Sequence, residues 1–186
     1  MDKGHDSYRR FLDGDNNALG ELIEDYRDGL ILFLLSYTSD VSAAESLAED
    51  TFVKLAVKRP RNSGKGSFKT WLYTIGRNIA IDYLRKRRRE KLVPLENAAE
   101  LASELESFEN ACIRSERKRI VHRAMENLEP RHHRVLWLRY FEDMTSREAA
   151  KVMGISTHAA EALASRARSA LRTLLEKEGF TDENLF

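Results

Sequence analysis

The chain has 186 residues, room for one ordinary domain or two small ones, and a formal net charge of only +1. Its single cysteine, Cys112, excludes an intrachain disulfide and any multi-cysteine zinc site, and it fits a reducing compartment. No apolar run reaches transmembrane length, and the opening MDKGHDSYRRFLDGD lacks the apolar middle of a signal peptide, so a cytoplasmic protein without membrane insertion is expected.

Taken in order, Phe11, Leu12, Leu19, Leu22, Ile23 and Tyr26 recur at helical spacing, continued by Leu30, Phe33 and Leu34. A polar break at Ser39-Asp40 precedes a helix from about Ser42 to Lys58. Its apolar stripe is Ala44, Leu47, Ala48, Thr51, Phe52 and Leu55, and its other face carries Glu45, Glu49, Asp50 and Lys54. Residues 58–67, KRPRNSGKGS, form a basic loop, because Pro60, Gly64 and Gly66 do not suit a helix interior.

The next helix spans about Ser67 to Arg89. Phe68, Leu72, Ile75 and Ile79 make its core face, and Trp71, Thr74, Asn78, Ile81, Arg85 and Arg88 lie along a neighbouring stripe. Its end is strongly basic: six of the seven residues from Arg85 to Lys91 are cations. Segment 92–113 then has no Lys or Arg but holds Glu96, Glu100, Glu104, Glu106 and Glu109. Such asymmetry points to a nucleic-acid surface beside a spacer that keeps clear of it. Aromatic and amide groups next to cations suit unstacked bases better than intact duplex. A loop such as Asn62–Gly66 suits an extruded base. The apolar body of Trp71 serves either core or bases. Asp82 is placed to pair with Arg85 or Lys86.

Beyond the spacer a helix is expected from about Arg114 to Asn127, then another opened by Pro130 in its first turn. His132 and His133 are adjacent and point about 100° apart on a helix. They are expected to be solvated or near phosphate rather than to share a metal. Thr145-Ser146-Arg147-Glu148 is a capping box starting a short helix to Met153, ended by Gly154. Ser156 caps a helix to about Glu178. Ala150 and Gly154 let the two helices cross closely, so the pair reads as a helix-turn-helix. Its second helix offers Thr157, His158, Glu161, Ala162, Ser165 and Arg166 to base edges, with Arg168 and Arg172 toward phosphates. There is no phosphate-binding glycine loop, no His-Glu-x-x-His helix and no histidine adjacent to the cysteine, so an enzyme, a metal site or a cofactor is not expected.

Four blocks, AESLAEDTFVKL (44–55), SFKTWLYTIGRNIAIDYLRKRRR (67–89), ENLEPRHHRVLWLRYFEDMTSREAAKVMGIS (126–156) and SRARSALR (165–172), stand in an order that resembles the bacterial RNA polymerase sigma factors of the extracytoplasmic-function (ECF) group. The resemblance covers about residues 8 to 176. It implies an all-α fold of two small helical modules, a sigma-2-like bundle over 1–91 and a sigma-4-like helix-turn-helix over 114–180, joined by an acidic linker (92–113) and followed by a tail (181–186). It implies an initiation factor that binds core RNA polymerase, directs it to a −10/−35 promoter and assists melting.

Carried over by position, Glu45, Glu49, Asp50 and Lys54 correspond to the polymerase-binding face. Asn62, Ser63, Gly64 and Lys65 correspond to the loop that captures a flipped −10 base, and Trp71, Arg77, Asn78, Arg85 and Arg88 to the −10 helix. Thr157, His158, Glu161, Ala162, Ser165, Arg166 and Arg168 correspond to the −35 reader. The linker would pass near the polymerase active-site channel, and an anti-sigma partner is possible for such a factor. The departures fall in GISTHAAEALASRAR, where Ala159-Ala160 replace a Thr-Val pair, Glu161 a basic residue, Leu163 an arginine and Ala164 a larger apolar group. The smaller Ala160 removes filling worth about 1.5 kcal/mol. The alternative is a helix-turn-helix regulator that never engages core polymerase; it leaves the acidic face and the basic loop unexplained.

Overall fold

The structure, a computed structural model, describes residues 2–61, 66–90, 113 and 116–177. Among these residues there is helix and no strand. Aspartates start the first three helices. Asp2 accepts a hydrogen bond from the Gly4 N–H and opens α1 (Lys3–Leu12); Asp15 accepts from Asn17 and opens α2 (Asn16–Thr38); Asp40 accepts from Ala43 and opens α3 (Val41–Lys58). Each side-chain oxygen satisfies a backbone donor that has no partner inside the helix. The continuous spacing from Phe11 to Tyr26 is broken in the fold, because Gly14 takes φ +108° and turns the chain between α1 and α2.

Leu30 to Leu35 of α2 are all buried, so this turn-and-a-half is apolar on every side and forms the axis of the first helical group. Helix α4 (Phe68–Glu90) crosses it closely: a Cβ on Gly76 would sit 3.0 Å from Leu30 Cδ1. Rings fill the remaining space. Phe68 lies 5.7 Å from Tyr8 and 5.5 Å from Tyr26, centroid to centroid, and Phe33 lies 5.3 Å from Tyr73. Burying several rings at these separations supplies apolar area and geometric preference together.

The second group comprises α5 (Glu116–Glu126), α6 (Pro130–Leu136), α7 (Ser146–Met153) and α8 (Thr157–Lys177). Pro130 does occupy the first turn of α6. That helix runs into a π turn, Trp137–Phe141, where the Glu142 N–H reaches back to Trp137 O at 3.2 Å. The wider turn brings the Trp137 and Phe141 rings into a stack at 4.4 Å. The capping box is present: Thr145 accepts from the Glu148 N–H, and Glu148 accepts from the Thr145 N–H. Gly154 ends α7 in the left-handed region at φ +66°. Ser156 then accepts from the Ala159 N–H and starts α8.

One expectation is corrected. His133 is buried rather than solvated, its ring 5.6 Å from that of His122. Burial first, then the neighbouring His122 and Arg134, push its pKa down to about 3, so it is a neutral core residue. Leu163, where the family pattern has an arginine, points inward and is buried with Ala160, Ala164 and Ala167. The loop Asn62, Ser63, Gly64 and Lys65, most of the acidic segment 92–113 including Cys112, and the tail 181–186 lie outside the described residues; Ile113 is buried.

Candidate nucleic-acid interfaces

Helix α8 has two unlike faces. Ala160, Leu163, Ala164 and Ala167 are buried toward α6 and α7, while Thr157, His158, Glu161, Ser165, Arg166 and Arg168 are exposed and Ala162 is half-buried. Small inward residues let α8 approach α7 closely, and this holds the outward side chains at one orientation. Arg168 is partly committed: its Nη1 donates to the Tyr140 hydroxyl at 3.3 Å. The exposed face can meet a major groove, with Arg166 as its best bidentate donor to a guanine edge.

Helix α4 is anchored at its start by two oxygens. The Asp2 carboxylate accepts from the Phe68 N–H, and Ser67 Oγ accepts from the Thr70 N–H at 3.2 Å. Trp71 is half-buried, its ring 5.2 Å from Tyr8 and 5.6 Å from Phe68, so its body belongs to the aromatic cluster and only its rim faces out. Asn78, Arg85 and Arg88 are exposed, and Arg77 is half-buried with Nη1 3.3 Å from Asn78 Oδ1. Asp82 pairs with Arg85 at 3.4 Å, one of the two partners expected for it. Just before the undescribed residues 62–65, the Tyr8 hydroxyl donates to Pro60 O at 2.8 Å and pins that flank of the loop to α1.

On α3, Glu49 and Asp50 are exposed, Lys54 is half-buried, and Glu45 is held 3.2 Å from Arg27. Val53 and Val57, which the sequence reading passed over, are largely exposed beside these carboxylates, at 55% and 74%. Their place off the core stripe was the available signal. Open valines beside carboxylates suit a protein partner better than DNA, whose phosphates the carboxylates would repel.

Residues 22–90 match the model of Sigma-70 region 2, and residues 118–171 match that of Sigma-70, region 4. Together these cover more than half of the chain. The chain belongs to the ECF sigma factors. SigM of Bacillus subtilis (strain 168), an ECF RNA polymerase sigma factor, is 29% identical over 170 residues, covering 89% of this chain and 99% of the relative. SigW of the same organism is 23% identical over 170 residues, covering 87% and 91%. Among solved structures, CnrH in complex with the cytosolic domain of CnrY has the same fold, with a TM-score of 0.64 at 24% identity and coverage of 95% and 99%. The protein is thus a transcription initiation factor whose partners are core RNA polymerase and promoter DNA.

The sigma factor's two helical groups also touch, which the sequence did not suggest. Lys69 Nζ sits 3.0 Å from Glu142 Oε2, and the Glu142 side chain is only 9% exposed. Ser67 and Thr70 donate to Glu148 Oε1 at 2.8 and 3.2 Å. Burial pushes the Glu148 carboxyl up, but hydrogen bonds from Thr145, Ser67 and Thr70 outweigh it and hold the pKa below the usual range. Farther along, Arg134 donates to Ser36 Oγ and O, and its guanidinium covers the Tyr37 ring at 3.8 Å. Between these contacts lies a cleft of about 450 Å³ lined by Arg77, Arg85, Arg88, Arg131 and Arg134 over an apolar floor that includes Ile81, Leu84 and Met153. Among the described residues no helix is long and apolar enough to cross a membrane.

Proposed function

We propose that this sigma factor divides promoter reading between two helices. In this reading α8 enters the major groove of the −35 element, with Thr157, His158, Glu161, Ala162, Ser165 and Arg166 at base edges and Arg168 at phosphate. Helix α4 serves the −10 element through Trp71, Arg77, Asn78, Arg85 and Arg88, and Asn62, Ser63, Gly64 and Lys65 capture a flipped base. The face of Glu45, Glu49, Asp50 and Lys54 docks on core polymerase, with Val53 and Val57 as its apolar contribution. Segments 1–91 and 114–180 act as the two modules and 92–113 as the acidic linker. The factor works without chemistry of its own or a cofactor, in the cytoplasm, and an anti-sigma partner suits its polymerase-facing surfaces.

The observation that carries this reading is the two-faced α8: an alanine-rich inner side packed on α7 and a largely polar outer side that includes Arg166. A buried Leu163 removes one of the cations expected toward DNA, so Arg166 and Arg168 bear more of the contact. Run-off transcription with purified core polymerase tests the assignment. Promoter-specific product is expected; duplex binding without product would make the chain a regulator that does not engage polymerase.

A further inference from the structure

We propose that the α4 stripe of Ser67, Thr70, Arg77 and Ile81 is a docking surface for the chain's own helix-turn-helix module, and that the docked form blocks −10 reading while leaving α8 free. The blocking half rests on the assignment of α4 to the −10 element. Three contacts carry the docking half. At the start of α4, Ser67 and Thr70 hold Glu148 of α7, and Lys69 holds Glu142, whose carboxylate leaves no room for a Cβ at Gly29 of α2. Midway, the Arg77 guanidinium lies on Gly154, where a Cβ would come within 2.9 Å of Nη2. At the far side, Arg134 grips Ser36 and Tyr37.

The surfaces overlap at Arg77, and the cleft between the modules takes in Arg85 and Arg88, whereas Asn78 lies outside it and stays exposed. An Arg77 guanidinium laid on Gly154 is not extended toward a base or phosphate, and Ile81 faces the cleft floor with Met153 and Ile155. Thr157, His158, Glu161, Ser165 and Arg166 all stay exposed in the same conformation, and none of them lines the cleft. The seam is also unevenly charged. Its Lys69 end joins opposite charges, whereas its other end gathers arginines from both modules, and among the described residues no carboxylate lines the cleft. Burial, the largest cause, lowers the Arg134 pKa; Tyr37 raises it, and the like charges of Arg131 and Arg77 lower it further. At that second end the Arg134 contacts with Ser36 and Tyr37 hold against the repulsion, so the seam is weak enough for a competing surface to open it.

The experiment uses the full chain with Cys112→Ser and donor and acceptor dyes on Glu24→Cys and Thr173→Cys, both exposed positions in different modules. High energy transfer is expected for the free chain, falling when core polymerase is added. Lys69→Ala and Arg134→Ala should each raise the open fraction about five- to tenfold, the loss of one charge-assisted contact. Neither position is in the buried core, and an unchanged circular-dichroism spectrum confirms folding. Wild-type transfer in both variants, or a free chain already at the polymerase-bound value, would overturn docking. The opened variants should also bind a fluorescein-labelled single-stranded oligonucleotide more tightly, by the same factor. Opening without tighter binding overturns the blocking half. Run-off transcription with Asn78→Ala reports separately whether α4 reads the −10 element.

Discussion

The two modules solve the same packing problem with opposite materials. Around α4 the core is built from large rings, Tyr8, Tyr26, Phe33, Phe68 and Tyr73, with the body of Trp71 at its edge. Around α8 it includes a run of alanines, Ala149, Ala150, Ala160, Ala164 and Ala167, set among Leu136, Val152 and Leu163. Rings fill a wide gap between helices and fix a long helix by bulk. Alanines let backbones meet and fix a helix by proximity. The first core should therefore be sensitive to lost volume and the second to added volume.

The largest effect that would break this contrast is Phe68→Ala. It should cost about 3–5 kcal/mol in urea unfolding, because the ring is fully buried and shared by several neighbours. Ala167→Leu is the converse and should cost about 1–3 kcal/mol by overpacking, with −35 duplex binding reduced. A tolerated leucine would mean the alanine core has slack. Arg166→Ala should leave stability alone, weaken −35 binding by about 1–3 kcal/mol and relax preference at one or two base pairs in a binding-site selection. An even loss over all sequences would recast Arg166 as a phosphate contact.

Acid should separate the modules further. His133 has a folded pKa of about 3, below its ordinary 6.5, so the unfolded state takes up its proton first as pH falls. Its contribution is intact above about pH 6.5 and is lost progressively down to about pH 3. Between about pH 7 and 5 the second module should lose about 2 kcal/mol, and His133→Leu should flatten that slope. Carboxylates with lowered pKa, such as Glu148, lose their contribution only below the ordinary carboxylate range, so they do not mimic this window. The smallest effect is Thr145→Ala, about 1 kcal/mol from the lost cap of α7.

What the sequence disclosed was local. The capping box, the Gly154 stop and the Phe68, Leu72 and Ile75 stripe were legible because each depends on neighbours within a turn or two. The break at Gly14 was missed because apolar spacing happened to continue across it. His133 was misplaced because adjacent histidines differ only in which side of α6 meets Trp137 and His122, a tertiary fact. The contacts of Glu142 and Glu148 with α4 were invisible for the same reason: they link positions some eighty residues apart, and Glu148 already had a local role in the cap. Trp71 was balanced between core and surface, and the fold places its body in the aromatic cluster and its rim outside.

The chain's only two tryptophans, Trp71 and Trp137, stand one in each module. The first lies at the edge of α4, the helix proposed to serve the −10 element; the second is 2% exposed, stacked on Phe141 beside His122. Nature has thus supplied a spectroscopic label for each half. Replacing either with phenylalanine leaves a single emitter, so intrinsic fluorescence alone can time the melting of one half against the other, and the proposed −10 role of α4 predicts that Trp71 emission follows the arrival of DNA without any dye.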